Sequence, residues 1–188
     1  MGRLTRFGLL LAALACALLG SGCGDAEDDT APVADTEGIY LDVDDLKYQV
    51  QISRYMNPSD VEDRSYFVGL PEGTAQPAGD ETWFGVFIRV QNQTDRAIAP
   101  ANDFQIVDTQ ENVYRPIPLD TNVNHFAYRP DPVGPKSLIP QPDSVVAEGT
   151  VQGALLLFKV KTSSLQNRPL EFRFRRGSGQ GGVVDLDV

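Results

Sequence analysis

The side chains able to do chemistry are few, and their spacing restricts the chemistry open to them. The 188 residues include one histidine, two cysteines, two methionines and 26 acidic residues against 16 basic ones. His125 has the type of a general base, but the sequence has no G-x-S-x-G elbow and Ser144 sits in a proline-flanked stretch. Copper, zinc and haem centres need several imidazole or sulfur ligands. One histidine and one methionine beyond the initiator do not supply them. Asp42, Asp44 and Asp45 are spaced so that carboxylates two apart could meet at a calcium ion. The loop lacks an EF-hand's turn glycine and closing glutamate, so an acidic edge strand that resists aggregation is expected instead. Glu62 with Asp63, or Asp80 with Glu81, would be the two acids of a glycosidase. Neighbours on a strand point to opposite faces, which separates each pair. Asn92, Gln93 and Thr94 match a glycosylation sequon by pattern. No catalytic residue, cofactor-binding residue or metal ligand is assigned, and a non-enzyme is expected.

Cys23 is the residue to which the sequence gives a reaction. Arg3 and Arg6 precede the uncharged residues 7–19, and Gly20, Ser21, Gly22 and Cys23 follow, which is the layout of a signal peptide. As a helix the uncharged run reaches about 20 Å, short of the roughly 30 Å hydrocarbon core, so it is too short for a permanent span. The junction resembles a bacterial lipobox, with Gly20 where Leu is usual and Leu19 one place earlier. That resemblance implies that the Cys23 thiol takes a diacylglycerol before cleavage and anchors the exported chain on the outer face of the cell membrane. A cut before Cys16 is the rival, and it leaves only residues 7–12 as the apolar stretch. Exported cysteines often pair as a disulfide. If Cys16 leaves with the leader, Cys23 has no partner.

The expected organisation is a signal peptide over 1–22, lipidated Cys23 with a disordered acidic linker over 23–38, and one folded domain over 39–188. Losing Arg3 and Arg6 takes the formal charge from -10 to -12, because every acidic residue lies beyond Cys23. Nucleic acid is therefore excluded as a partner, and the chain as a whole should avoid anionic lipid. Nine acids, from Asp25 to Asp45, precede the first base after the leader, Lys47. Residues 24–38 are poor in apolar side chains and self-repelling, the composition of a solvated tether.

From residue 39 onward the hydrophobic pattern has a period of two and breaks at turn residues, which predicts strands. Residues 82–90 alternate most clearly and predict a central strand whose first half is covered on both sides. Strands are also expected at 39–43, as an edge, and at 46–56, 66–70 and 154–160. Residues 104–108 with 113–117, and 170–175 with 184–188, predict hairpins, the second with Arg and Asp paired across its outer face. The helical exception is a turn or two around 162–166. About eight such strands make an all-β sandwich. Seven of the thirteen prolines fall in residues 115–142, where they forbid a central strand. That segment holds His125, Phe126 and Tyr128 and is the first place to look for a protein partner.

Residues 83–92 (WFGVFIRVQN), 104–108 (FQIVD), Tyr114, 155–159 (LLLFK) and 169–172 (PLEF) together resemble the telokin-like, immunoglobulin-fold domain of bacterial lipoproteins of unknown function. The resemblance covers about residues 80–175 and rests on core and turn features. It implies an immunoglobulin-like β-sandwich, an extracellular and often membrane-tethered setting, and no catalytic residue. The expected role is a non-enzymatic binding or accessory domain at the cell surface. A structural envelope protein without a specific ligand and a cell-wall polymer hydrolase are the alternatives.

Overall fold

The computed structural model describes residues 31–177 and 179–188. The expected signal peptide, Cys23 and the start of the acidic linker lie outside them. Ten strands form among the described residues: β1 (Val33–Ala34), β2 (Tyr40–Val43), β3 (Leu46–Met56), β4 (Glu81–Asn92), β5 (Asp103–Val107), β6 (Val113–Tyr114), β7 (Leu138–Ile139), β8 (Ala154–Lys161), β9 (Leu170–Arg175) and β10 (Gly181–Leu186). They make two facing sheets, a β-sandwich. One sheet runs β1-β10-β9-β5-β6, and the other runs β2-β3-β4, with β7 and β8 both paired to the far edge of β4.

Alternation in β4 sets the core. Phe84, Val86, Ile88 and Val90 turn between the sheets, each at most 2% exposed, and meet Tyr48 and Val50 of β3 and Phe104, Ile106, Leu170 and Phe172 of the opposite sheet. Burying a side chain of this size stabilises by about 1.5–3 kcal/mol. The other face of β4 is apolar only in its first half. There Trp83 and Phe87 join Met56, Leu155 and Leu157 in a second cluster, roofed by Tyr66, Phe67 and Leu70 and by Ile117, Leu119 and Phe126. The two-sided covering expected from the sequence is present.

The structure changes several expectations. Residues 66–70 form no strand, and Arg64–Phe67 is a 3-10 turn. Tyr66 and Phe67 are consecutive yet both pack into the second cluster, which an alternating strand cannot arrange. Buried Asp63 holds the turn, its carboxylate accepting the Asn57 N–H at 2.7 Å and pairing with Arg54. The acidic linker ends sooner than residue 38. β1 lies parallel to β10, Ala34 is buried, and the Glu37 carboxylate accepts N–H bonds from Ser53 (3.0 Å) and Asp187 (3.2 Å). Acidity did not keep these residues out because backbone donors engage the charge.

The β9–β10 hairpin forms, but without Arg–Asp pairs across it. Its apolar face fixes Val184 opposite Phe172 and Leu186 opposite Leu170, and that register sets Asp185 opposite Glu171. Arg173 pairs instead with Glu171 on its own strand at 2.5 Å, and Arg175 with Asp103 of β5 at 3.2 Å. Burial first, then the charges of Glu171, Asp35 and Asp187, push the Asp185 carboxyl up. Gly182 is bare for a reason: a Cβ there would stand 2.5 Å from the ring of Phe174, its cross-strand partner.

Asp108 organises the β5–β6 turn. Its buried carboxylate accepts from the N–H groups of Gln110 and Asn112 and from the Asn112 amide, each at 2.9 Å, and from Asn167 at 3.3 Å. Burial alone would raise this acid, but bonds from Ser164, Asn112 and Asn167 hold it well below the usual carboxylate range.

The two acids act on stability with opposite signs. A lowered acid stabilises above its unfolded value and loses that contribution as pH falls through the folded one. Asp108→Asn is expected to lower stability by about 1–3 kcal/mol at pH 7, with the deficit shrinking on acidification. A raised acid is unfavourable once pH rises through its folded value. Asp185→Asn should therefore raise Tm at pH 7 and leave it unchanged well below pH 3.8. Urea and thermal unfolding at pH 7 and pH 2.5 check both.

Candidate functional site

The edge of β4 is shared by two strands laid head to tail. Ile139 of β7 pairs with Val90, and Ala154 of β8 pairs with Ile88. Between them residues 140–153 swing outward and carry one helical turn, α1 (Val145–Glu148). Ser144 caps it, its Oγ accepting from the Ala147 N–H at 3.3 Å and donating to the Gln141 carbonyl at 2.6 Å. The proline-rich segment runs along the far side of β8. It is tied there by bonds from Ile117 N to Leu157 O (2.7 Å), Leu155 N to Phe126 O (2.7 Å) and Tyr128 N to Leu155 O (2.9 Å).

A groove of about 510 Å³ opens between this segment and α1. Its floor is apolar, with Ala127, Ile139, Val146 and Ala154 buried beneath it. Two of these carry only a methyl group, which leaves a depression at the sheet edge. The rim is polar and of mixed sign, from His125, Arg129, Asp131 and Asp143. A volume of this order suits a small organic ligand or a few residues of a peptide. A second, more open cleft of about 420 Å³ lies at the start of β4, between Tyr55, Pro58, Gln76, Pro77 and Trp83.

Of the side chains that the sequence nominates in the proline-rich segment, only His125 faces solvent. Phe126 packs edge-on against Tyr66 at 4.7 Å, and Tyr128 is buried with its hydroxyl donating to the Ala101 carbonyl at 2.8 Å. Backbone bonds to β8 on both sides of Ala127 draw these rings against the sheets. His125 and Ser144 do line one groove, yet the Ser144 proton is given to Gln141 rather than to the histidine. Asp42, Asp44 and Asp45 diverge to Lys47 (2.5 Å), Arg176 (2.8 Å) and Arg96. Asp63 is buried while Glu62 is exposed, and Glu81 accepts from the Ala78 N–H at 2.9 Å. Neither acid pair converges, and among the described residues no three His, Cys, Asp or Glu side chains are grouped to hold a metal ion. Asn92 of the sequon is 1% exposed, with its amide donating to the carbonyls of Arg96, Val133 and Gly134 at 2.7–3.0 Å. It is a structural tie.

Sequence reasoning did not single out Asn124, which holds the groove wall in place. At 1% exposure it donates to the carbonyls of Tyr66 (3.0 Å) and Val68 (2.8 Å) and accepts from the N–H groups of Phe126 (2.9 Å) and Ala127 (3.1 Å). It thereby joins the roof over the second cluster to the proline-rich segment. Nor did the sequence indicate α1, although Ser144 is a capping residue by type. Asn124→Ala would strand four backbone groups and is expected to cost about 1–3 kcal/mol. Hydrogen exchange should quicken at residues 126–128 while the amides of β4 stay protected.

No protein-family model matches the chain, and no curated protein matches it in sequence. Solved structures resemble its backbone. An uncharacterized β-sandwich protein from Clostridium difficile 630 aligns at 9% identity over 84% of this chain and 97% of that one, with a TM-score of 0.47. The yjhA protein from Bacillus subtilis aligns at 10% identity over 81% and 99%, also at 0.47. A conserved hypothetical protein from Bacillus anthracis aligns at 9% identity over 73% and 85%, at 0.42.

Proposed function

We propose that this chain is an exported lipoprotein, anchored to the outer face of the cell membrane through Cys23, whose β-sandwich is a non-enzymatic binding or accessory domain. The groove beside α1 carries the reading. It combines an apolar floor with a charged rim, the composition of a binding site, while the serine hydroxyl within it is engaged in a helix cap. Cleavage and lipidation at Cys23 follow from the leader's layout and the small residues before the cysteine. The immunoglobulin-like, telokin-like kinship belongs to the same reading. Its support is that residues 83–92 and 155–159 fall on β4 and β8, and 104–108 on β5 and its turn.

The groove lies at the β7 and β8 edge, whereas the described chain begins at the opposite edge, where β1 meets β2. An anchor on one side would leave the groove accessible on the other and hold it near its partner at high effective concentration.

Mass spectrometry of the mature protein is expected to find a diacylglyceryl-modified chain starting at Cys23; an unmodified chain starting elsewhere ends the anchor reading. A photo-cross-linker at Val145, 73% exposed on the rim, should give a discrete adduct in intact cells, and Arg129→Glu should abolish it. The same cross-linker at Val61, 79% exposed and away from the groove, should give none. Equal labelling from both positions would remove the groove from the proposal.

A further inference from the structure

The cleft at the start of β4 takes its walls from the two ends of the segment that roofs the outer face. β3 ends at Met56, which pairs with Trp83 of β4, and Tyr55 before it pairs with Phe84. Residues 57–80 leave β3 and return to β4 from this point, so the cleft is lined by Asn57 and Pro58 from the start of the segment and by Gln76 and Pro77 from its end. A proline ring fixes φ, which stiffens the chain on both sides. The Tyr55 side chain lines the cleft as well. It is 51% exposed, with its ring held perpendicular to that of Phe84 at 6.0 Å.

Three polar side chains of the lining are each held by one atom and leave another unused. The Ser59 N–H donates to Asn57 Oδ1 at 3.0 Å, the Trp83 indole N–H to Gln76 Oε1 at 3.4 Å, and the Ala78 N–H to Glu81 Oε2 at 2.9 Å. A donor requires the oxygen of an amide, so the orientation of both amides is set and their NH2 groups are left over. Among the described residues, those two nitrogens and Glu81 Oε1 take no hydrogen bond. The cleft therefore offers two amide donors, a carboxylate acceptor and an open aromatic ring. No base lines it.

We infer that this cleft binds a neutral oligosaccharide, stacked on Tyr55 and hydrogen-bonded by Asn57, Gln76 and Glu81. A sugar hydroxyl both donates and accepts, so neighbouring hydroxyls can use the amides and the carboxylate together. The weakly positive C–H face of a pyranose suits the negative face of an aromatic ring. The same features disfavour other ligands. A phosphate or an acidic sugar meets Glu81 and no counter-charge. Quaternary ammonium groups are held in cages of several rings, but Phe67 (5.4 Å) and Lys159 (5.7 Å) already lie against the Trp83 ring, which is 3% exposed. Proline-rich peptides dock in grooves lined by aromatic rings, and here Tyr55 alone is open. The volume of about 420 Å³ falls in the range of small-ligand sites, and the open shape lets a longer chain continue past the ends. The site shares no residue with the groove beside α1 and does not depend on an anchor at Cys23.

Trp83 is the single tryptophan of the chain, so its fluorescence reports on the cleft directly. The full chain, in a detergent without sugar headgroups, is titrated with cellohexaose, chitohexaose and mannohexaose, with calorimetry alongside. At least one is expected to bind and to shift the emission. Tyr55→Ala should weaken it about tenfold, and Tyr55→Phe, which keeps the ring, by no more than about threefold. Gln76→Ala should weaken it about fivefold. Gln76 lies in an exposed segment, so this variant tests the site even where Tyr55→Ala loses stability against Phe84. No heat and no shift from any of the three at millimolar concentration overturns the inference. Affinity undiminished in both Tyr55→Ala and Gln76→Ala overturns the site, and tighter binding of hexagalacturonate or decaproline overturns the ligand class.

Discussion

Everything in this fold is arranged around a strand that must be dry on both faces. A sandwich strand ordinarily has one face toward the partner sheet and one toward water, but Trp83 and Phe87 make the outer face of β4 apolar as well. Among the described residues no third sheet covers it. The covering comes from two irregular segments, 57–80 and 115–128, whose backbones lack a ladder of their own. Buried backbone groups need partners, so side chains supply them. Asn124 joins the two segments to each other, Asn92 fixes the end of β4 to residues 133 and 134, and Asp63 closes the turn that delivers Tyr66 and Phe67.

This division of labour explains what could be read from the residues. Alternation reports burial, so β4, β8, β9 and the edge position of β2 were legible, as was the short helical turn at Thr162–Gln166. It fails where neighbouring residues point the same way, as at Tyr66 and Phe67, and where pairing is only two residues long, as in β1 and β7. Composition misjudged residues 33–38 because it counts the charge of Glu37 and not the backbone donors waiting for it. The prolines of 115–142 marked an irregular segment correctly. They could not tell that its aromatic residues turn inward, since that depends on where β8 offers backbone partners. The 115–142 loop was singled out as a place for a partner, but the groove was not, because its floor of Ala127 and Ala154 comes from chain segments brought together by folding.

The polar residues divide in the same way. Asp108, Asn92 and Asn124 are buried acceptors and donors serving the backbone, and their chemistry is already in use. The acids and bases at the surface are sorted by position, with opposite signs mingled at one end and acids prevailing elsewhere. Neither pattern appears in the overall composition, which records a uniform excess of acid.

The head-to-tail arrangement of β7 and β8 has a bearing on how such a protein can change over generations. Each of these strands is aligned independently by β4, so the connection between them, residues 140–153, carries no responsibility for keeping either in register. Insertions and deletions there can be sampled at little risk to folding. The same connection forms a wall of the groove, so the groove's shape can vary while the scaffold stays unaltered.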